Sequence, residues 1–415
     1  MKRVLIISYH FPPVNNVNAR RFGEMAHLMR DFGWEPFVVT TNSKGTLPLK
    51  ISEKNVIRVG KNYYSEDELV AKEGYKGVPL FLKLPYFLYR VLRMEIWSLD
   101  RFIFSWGKEV RKKNEFIKLQ SPDLIIGTGY PPVGIWLAKF FSKELKKPWI
   151  ADLHDPLSLW NNSKFLLWQL IDRIIDKNLL QSASAITTLG RKLANQMGKL
   201  YKRDVKVIYN GFEEIDQEDE AIEENPRKEK ILYYAGRFHE HRMKAARLFI
   251  GWLSQNKEEN VKFTLRSLGP KEANEELLEY AKEKKVLDKI ELLPPADLKT
   301  VSQEERKADV LLLFEDLKKT RRNFESTLPA KLMEYLAKEA QIVAIARGDS
   351  EIGEILAETK RGYLVSDFSQ LGAVLKKIFS GNFHPFQKNL VEKYSRRKQC
   401  EILCKIFDDV YARHH

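Results

Sequence analysis

Apolar residues fall into short runs separated by amphipathic stretches along the whole chain. Within residues 2–8, the run Val4-Leu5-Ile6-Ile7 predicts a buried strand that enters a loop, His10-Phe11-Pro12-Pro13. Residues 19–32 then place Phe22, Met25, Ala26 and Met29 at helical spacing, and Gly33 is a stop signal. Pro36-Phe37-Val38-Val39-Thr40 predicts the next strand. Strand, loop, helix and strand in this order form a βαβ unit, which requires a parallel sheet. The pattern returns at Asp123-Leu124-Ile125-Ile126-Gly127, Trp149-Ile150-Ala151-Asp152 and Ala185-Ile186-Thr187-Thr188, and 205–209 predicts one more strand. Together these make a doubly wound first domain over 1–212.

The pattern then breaks. Residues 213–229 are acidic, lack apolar periodicity and contain Asn225-Pro226, so they read as an exposed linker. A second strand series follows: Ile231-Leu232-Tyr233-Tyr234-Ala235-Gly236, Lys262-Phe263-Thr264-Leu265, Lys289-Ile290-Glu291-Leu292, Val310-Leu311-Leu312-Leu313 and Ile342-Val343-Ala344-Ile345. Helical stretches between them predict a second doubly wound domain over 230–384. The helical segment 385–415 either caps that domain or crosses back to the first. In such sheets ligands bind at the carboxyl ends of strands. The fold class is therefore α/β, with chemistry expected in a cleft between two such domains.

Composition narrows the setting. The 415 residues suit two cores, and 44% of them are hydrophobic, which excludes a disordered chain. A net charge of +14 favours anionic partners: nucleic acid, an acidic membrane surface or phosphorylated small molecules. The two cysteines, Cys400 and Cys404, lie on one predicted helix and read as packed thiols, which suits a reducing compartment. Residues 4–7 are too short a run for a signal core or a membrane span. The eight histidines are scattered, and no ligand set for a metal stands out.

The segment with the clearest chemistry is Ser326-Thr327-Leu328-Pro329-Ala330-Lys331-Leu332-Met333-Glu334-Tyr335-Leu336-Ala337. Ser326 or Thr327 is a suitable N-cap, and Pro329 fits a first turn. Backbone N–H groups at such a helix start suit a diphosphate, Lys331 adds a cation, and Glu334 can accept from two ribose hydroxyls. An ordinary amphipathic helix with solvated Lys and Glu is the competing reading. Ala151-Asp152-Leu153-His154-Asp155-Pro156 follows a buried strand. Its Asp152, His154 and Asp155 are candidates to position an acceptor or move a proton. Which of the three matters most is open, and a polar loop capped by Asp155 is the alternative. Gly127-Thr128-Gly129-Tyr130-Pro131-Pro132 also follows a strand but lacks the context of a dinucleotide fingerprint. Residues 79–113 interleave apolar, aromatic and basic side chains. That pattern suits either core helices with solvated basic ends or an interfacial helix on an anionic bilayer.

The 326–337 segment resembles the donor-binding helix of the retaining glycosyltransferases of family four, where an E-x7-E pattern encloses a Pro. Here Glu334 takes the second glutamate position and Ser326 the first, a departure. A subset of that family with Ser, Pro, Lys and Glu-Tyr-Leu in this order is similar. Three more segments resemble the family: Ser8-Tyr9-His10-Phe11-Pro12-Pro13 with Ala19-Arg20-Arg21, then Tyr209-Asn210-Gly211-Phe212, then Tyr234-Ala235-Gly236-Arg237. The usual glycines of the first loop are replaced by Asn15, Asn16 and Val17. Asn tolerates a left-handed backbone, so a similar turn is open to it.

The resemblance implies the two-domain GT-B fold and a nucleoside-diphosphate sugar donor, expected to be a UDP-sugar. It implies transfer of a hexosyl or N-acetylhexosaminyl group with retention, onto a glycan or polyprenyl-linked glycan of the bacterial cell envelope. It assigns the diphosphate to Arg237, Lys331, Ser326, Thr327 and either Arg242 or Lys244, and the ribose to Glu334. It assigns a donor/acceptor loop to His10, Pro13, Asn15, Asn16 and Asn18, and a late donor loop to Glu351. No cofactor and no bound metal are expected, because cations and a helix start neutralise the leaving group. A cytoplasmic enzyme, peripheral on the inner face of the membrane through 79–113, fits a lipid-linked acceptor. Other readings are a nucleotide-sugar epimerase or hydrolase on the same fold, which would need more carboxylates around the sugar, and a non-catalytic scaffold. Nucleic-acid binding is not expected, since neither a known module nor a dense basic run is present.

Overall fold

The computed structural model describes residues 1–61, 106–129, 131–154, 166–213, 229–238, 240–257, 260–267, 269–317 and 328–414. The chain forms two compact units, Met1–Asn210 with Arg396–His415, and Gly211–Ser395. The expected linker falls almost entirely outside the described residues, as does most of 79–113.

The first unit holds a seven-stranded sheet in the order β3-β2-β1-β4-β5-β6-β7. Its strands are Lys2–Ile7 (β1), Trp34–Asn42 (β2), Val56–Lys61 (β3), Leu124–Thr128 (β4), Trp149–Leu153 (β5), Ala185–Thr188 (β6) and Lys206–Val207 (β7). All adjacent pairs are parallel. The helices are Val17–Met25 (α1), Trp106–Arg111 (α2), Asn114–Leu119 (α3), Val133–Leu145 (α4), Leu166–Leu180 (α5) and Arg191–Tyr201 (α6). The uninterrupted apolar run of β1 reflects burial on both faces. Leu5 and Ile7 enter one core layer and Val4 and Ile6 the other.

The predicted helix 19–32 begins earlier and changes pitch. It is α-helical to Met25 and continues as a 3-10 helix over Ala26–Phe32, ending at Gly33 with φ 84°. The Asn-rich loop before it makes no left-handed turn. Asn16 is extended, with φ −142°, and its side chain accepts from Ala19 N at 2.7 Å as the N-cap. Asn is equally suited to that role, so the left-handed turn open to it is not taken.

Gly134, near the start of α4, lets the helix approach the sheet. A Cβ there would stand 2.5 Å from the Thr128 carbonyl oxygen and 3.0 Å from that of Ile7. Backbone cannot swing aside as a side chain can. Gly134→Ala is expected to cost about 1–3 kcal/mol. That corresponds to a fall of roughly 2–12 °C in the melting midpoint, read by circular dichroism.

The second unit holds a six-stranded parallel sheet in the order β10-β9-β8-β11-β12-β13. Its strands are Lys230–Gly236 (β8), Val261–Ser267 (β9), Ile290–Leu293 (β10), Val310–Phe314 (β11), Gln341–Ile345 (β12) and Gly362–Val365 (β13). The helices are Glu240–Gln255 (α7), Lys271–Glu283 (α8), Leu298–Lys307 (α9), Ala330–Leu336 (α10), Glu351–Thr359 (α11), Leu371–Phe379 (α12) and Lys388–Val391 (α13). One sheet face packs Phe263 and Phe314 against Phe249 of α7, and Tyr234 against Phe314, in edge-on ring contacts.

The last helix, Arg396–His414 (α14), belongs to the first unit. Its Cys400, Leu403, Cys404, Phe407 and Val410 join the layer of Val4, Ile6, Phe22 and Trp34. Trp34 packs edge-on against Phe407, and its Nε1 donates to Asp408 at 3.1 Å. Cys400 Sγ contacts the Met25 carbonyl oxygen at 3.6 Å, so both thiols are packing groups. Residues 385–395, grouped in the sequence with this helix, belong to the second unit instead.

Among the described residues no helix is long and apolar enough to cross a membrane. In the described end of 79–113, Trp106 and Val110 turn inward, while Lys108, Arg111, Lys112 and Lys113 are exposed. Trp106 is 1% exposed, donates to the Val59 carbonyl at 2.9 Å and meets Tyr9 edge-on, and Val110 is fully buried.

Candidate functional site

Each sheet reverses its winding once, between β1 and β4 and between β8 and β11. Crevices at such switch points are where doubly wound sheets bind ligands. Loops leaving the carboxyl ends of these strands and of β5 carry the candidate residues.

In the first unit, β1 runs into Ser8, Tyr9 and His10, and β5 into His154. The register that pairs Asp152 with Thr187 across β5 and β6 places a carboxylate beside a hydroxyl inside the sheet. Asp152 is fully buried, and its Oδ1 accepts from Thr187 Oγ1 at 2.6 Å and Arg21 Nη2 at 2.8 Å. Its Oδ2 accepts from Arg21 Nε at 3.0 Å and lies 3.4 Å from His154 Nε2. Arg21, on α1, also donates to the Ile208 carbonyl at 2.9 Å and to Asn210 Oδ1 at 3.2 Å. Burial alone would raise the Asp152 pKa, yet the Arg21 guanidinium, with His154, holds it well below the usual carboxylate range.

His154 is 5% exposed, and its Nδ1 lies 2.8 Å from Asn18 Oδ1. The imidazole is thus held through Nδ1, while Nε2 lies near the Asp152 carboxylate without a hydrogen bond to it. His10 is 2% exposed; burial first, and then the neighbouring His154, push its pKa down to about 4. A neutral imidazole therefore faces His154. Of the other loop positions, the Pro13 carbonyl accepts from Leu47 N at 3.0 Å, Asn16 caps α1, and Asn15 is exposed. The structure thus brings Asn18, Asp152, His154 and His10 together, and Asp155 lies outside the described residues. The burial of Arg21 carries no sequence signal beyond the Ala-Arg-Arg helix start.

In the second unit, Arg237 follows β8 and is exposed, and its carbonyl accepts from Tyr234 Oη at 3.2 Å. Arg242, in the first turn of α7, turns back to the same place. Its Nη1 donates to the Arg237 carbonyl at 3.4 Å, and its Nη2 and Nε meet Glu315 Oε1 at 2.8 and 3.0 Å. Burial raises the Glu315 pKa, and the Arg242 charge partly offsets this. Lys331, at the start of α10, lays its Nζ 4.9 Å from the centre of the Tyr234 ring. A Cβ on Gly236 would come within 2.6 Å of that Nζ, so the absent side chain leaves the lysine its room. Burial pulls the Lys331 pKa down to about 8, against the opposing pull of Glu305 and Glu334.

The backbone of Arg237 and the side chains of Arg242 and Lys331 therefore meet around Tyr234, whereas Lys244 is exposed elsewhere. It lines a groove of about 730 Å³ with Arg247, Pro270 and Tyr280, between α7 and α8, so Arg242 is the one of the pair at the candidate site. Glu315 and Glu305 are charges the sequence reading did not select. Glu351 is buried at the start of α11. The helix α10 starts at Ala330, after Pro329 in an extended conformation with ψ 132°, which corrects the expected cap at Ser326 or Thr327. Proline disfavours helical geometry in the residue before it, so the start moves downstream. Ser326 and Thr327 lie outside the described residues. Among the described residues no cluster of three His, Cys, Asp or Glu could hold a metal ion.

No family model matches the sequence, and no curated protein matches it. Solved structures do match. A glycosyltransferase from Rickettsia africae superposes with a TM-score of 0.66 at 13% identity over 99% of this chain and 98% of that one. An α,α-trehalose 6-phosphate synthase from Burkholderia multivorans gives 0.65 at 14% identity over 100% and 98%. HepE from Anabaena, in complex with UDP and glucose, gives 0.59 at 12% identity over 100% and 98%. The fold is GT-B, in two parallel sheets of seven and six strands.

Proposed function

We propose that this chain is a nucleotide-sugar-dependent glycosyltransferase of the retaining, family-four type. The observation that carries this reading is that Arg242 and Lys331 meet around Tyr234 where β8 gives way to Arg237, with Glu334 on the same helix as Lys331. Cations beside a carboxylate suit a nucleoside diphosphate, whose phosphates need charge and whose ribose offers two hydroxyl donors. The similarity to HepE, seen with UDP and glucose, favours a UDP-sugar.

Catalysis then consists mainly of stabilising the departing diphosphate. Arg237 and Lys331 supply fixed positive charge where negative charge develops, and no metal is needed for it. Arg242, held by Glu315, keeps the turn after β8 in place. In the first unit, Asp152 and Asn18 orient His154, which is the group we assign to the acceptor hydroxyl or the transferred sugar, and neutral His10 lies beside it. The acceptor is a glycan or polyprenyl-linked glycan, which would place the enzyme at the inner face of the cell membrane.

Calorimetric titration of the purified protein with UDP, GDP, UDP-GlcNAc and related nucleotide sugars tests the reading. Micromolar binding of one nucleoside diphosphate supports it and names the base. Folded protein that binds none of them overturns it.

A further inference from the structure

Four helices cover one face of the first sheet as a single layer. Val110 of α2, Ile117 of α3, Phe141 of α4 and Leu180 of α5 all enter the same core cluster. Neighbours in the layer are tied to each other. The Arg111 guanidinium lies 5.7 Å from the centre of the Phe140 ring, which joins α2 to α4. Lys139 Nζ donates to the Asn178 carbonyl at 2.8 Å, which joins α4 to α5. The sheet accounts for the apolar residues on the inner side of this layer and for none of those on its outer side.

On α5 the inner side carries Leu179, Leu180 and Asp176, which is 1% exposed and accepts from Tyr201 Oη of α6 at 3.4 Å. Leu170 and Ile174 are four residues apart, so they stand one above the other. They are 50% and 60% exposed. Arg173 and Lys177, also four apart, are exposed beside them. A single exposed leucine needs no explanation. An aliphatic pair on one helix face, flanked by a pair of cations, is the pattern of a helix that lies in a membrane interface. The rest of the layer has the same character. Phe116 and Leu119 of α3 are 51% and 75% exposed. Residues 106–119 and 139–147 carry nine Lys or Arg against three Glu, so an anionic partner is favoured.

Charge and exposed apolar surface together select the occupant. A second copy of the chain would bring this positive face against itself, and like charges across an interface repel. A nucleic acid would satisfy the cations but would set Leu170 and Ile174 against a charged backbone. An anionic bilayer suits both, with phosphate headgroups facing the cations and the acyl boundary receiving the aliphatic pair. We propose that the outer side of the α2–α5 layer docks on an anionic lipid bilayer, with Leu170 and Ile174 inserted at the headgroup boundary. The long basic side chains around them keep their charged ends at the phosphates while their stems lie along apolar surface. The described end of 79–113 takes part through the exposed cations of α2, and not through Trp106 and Val110, which turn inward. The inference does not rest on the donor-site reading, and the two fail separately: nucleotide titration tests one and vesicle binding the other.

The test is partition of the full chain onto vesicles of phosphatidylcholine alone and of phosphatidylcholine with roughly one-third phosphatidylglycerol. Wild type is expected to prefer the anionic vesicles by more than about tenfold, and to leave them as salt rises from about 0.05 to 0.5 M. Arg173→Gln/Lys177→Gln should weaken anionic binding by about 25-fold, at about fivefold for each charge removed. Leu170→Ser/Ile174→Ser should weaken it by more than about tenfold, with the charge unchanged. Lys271→Gln/Lys299→Gln removes two exposed charges from the second unit and should stay within about twofold of wild type. No preference for anionic vesicles overturns the proposal. Anionic binding that the α5 variants leave intact overturns it as well.

A second measurement covers variants that fail to fold. Cys400 and Cys404 are buried, so a thiol-reactive, environment-sensitive dye goes to the cysteine of Ile174→Cys. On anionic vesicles its emission should shift to the blue and be shielded from an aqueous quencher. A dye that stays in water on vesicle-bound protein overturns the placement of α5. Self-association that Leu170→Ser/Ile174→Ser abolishes, without vesicle binding, overturns the proposal in favour of a second copy. Duplex nucleic acid bound in preference to anionic vesicles, with Leu170→Ser/Ile174→Ser unaffected, overturns it in favour of nucleic acid.

Discussion

Asp152→Ala is expected to destabilise the first unit by about 3–5 kcal/mol. Whole domains are stable by only about 5–15 kcal/mol, so much of the variant should be unfolded at moderate temperature. The Arg21 and Asp152 side chains are each 0% exposed, and the guanidinium meets the carboxylate through two nitrogens. Alanine leaves that guanidinium buried with only the Ile208 carbonyl and the Asn210 side chain as partners. The loss is therefore dominated by an uncompensated charge and not by the missing contact. The double variant Arg21→Met/Asp152→Ala should accordingly be more stable than Asp152→Ala alone. Urea unfolding of both, with wild type, checks this. A double variant less stable than the single would contradict the charge argument.

The same cluster sets an acid dependence. Asp152 has a folded pKa below its unfolded one, so its contribution is present above the ordinary carboxylate pKa and is lost as pH falls through the folded value. His10 has a folded pKa of about 4 against an ordinary 6.5, so the unfolded chain takes up its proton first, and stability falls as pH drops from 6.5 towards 4. Both groups act in the same direction. The first unit should weaken on acidification, beginning in the histidine range before the carboxylate range is reached.

Replacing Arg237 and Glu334 together by alanine is expected to weaken nucleoside-diphosphate binding by about 10²–10⁴-fold. Each removes a charge-assisted contact, one to phosphate and one to ribose hydroxyls, and such contacts contribute about 1.5–3 kcal/mol apiece. Arg237 is exposed and Glu334 half-buried, so the fold should tolerate the change. Calorimetry measures the loss, and an unchanged melting midpoint separates it from unfolding. Retained micromolar affinity would remove these residues from the donor site.

How far the sequence reaches is plain from particular elements. The strands β1, β4, β8 and β11 each hold a continuous apolar run, and such runs bounded by helical patterns compel parallel sheets buried on both faces. Strands β3 and β13 were not foreseen. They lie at sheet edges, and each carries a glycine, Gly60 or Gly362, that interrupts the apolar pattern. The stretch 205–209 was foreseen as a strand, yet only Lys206–Val207 pairs as one.

For the site, the residue types after β5 pointed to Asp152 and His154, because loops after β-strands are where such a sheet exposes chemistry, while the helix-start pattern of 326–337 pointed to Lys331 and Glu334 and the family resemblance alone to Arg237. The choice between Arg242 and Lys244 was not legible, since two residues on one helix differ in direction by most of a half turn. Only packing tells which one faces Glu315. Glu305 and Arg21 were equally hidden: nothing in Leu298–Lys307 marks one glutamate as buried and its neighbour as turned to Arg266. The alternation of apolar and polar residues along the chain determined the two sheets and the ends at which chemistry could sit. The tertiary structure alone decided which charges meet, because burial and distance, which set both the partners and the protonation of a charged group, belong to the packed fold.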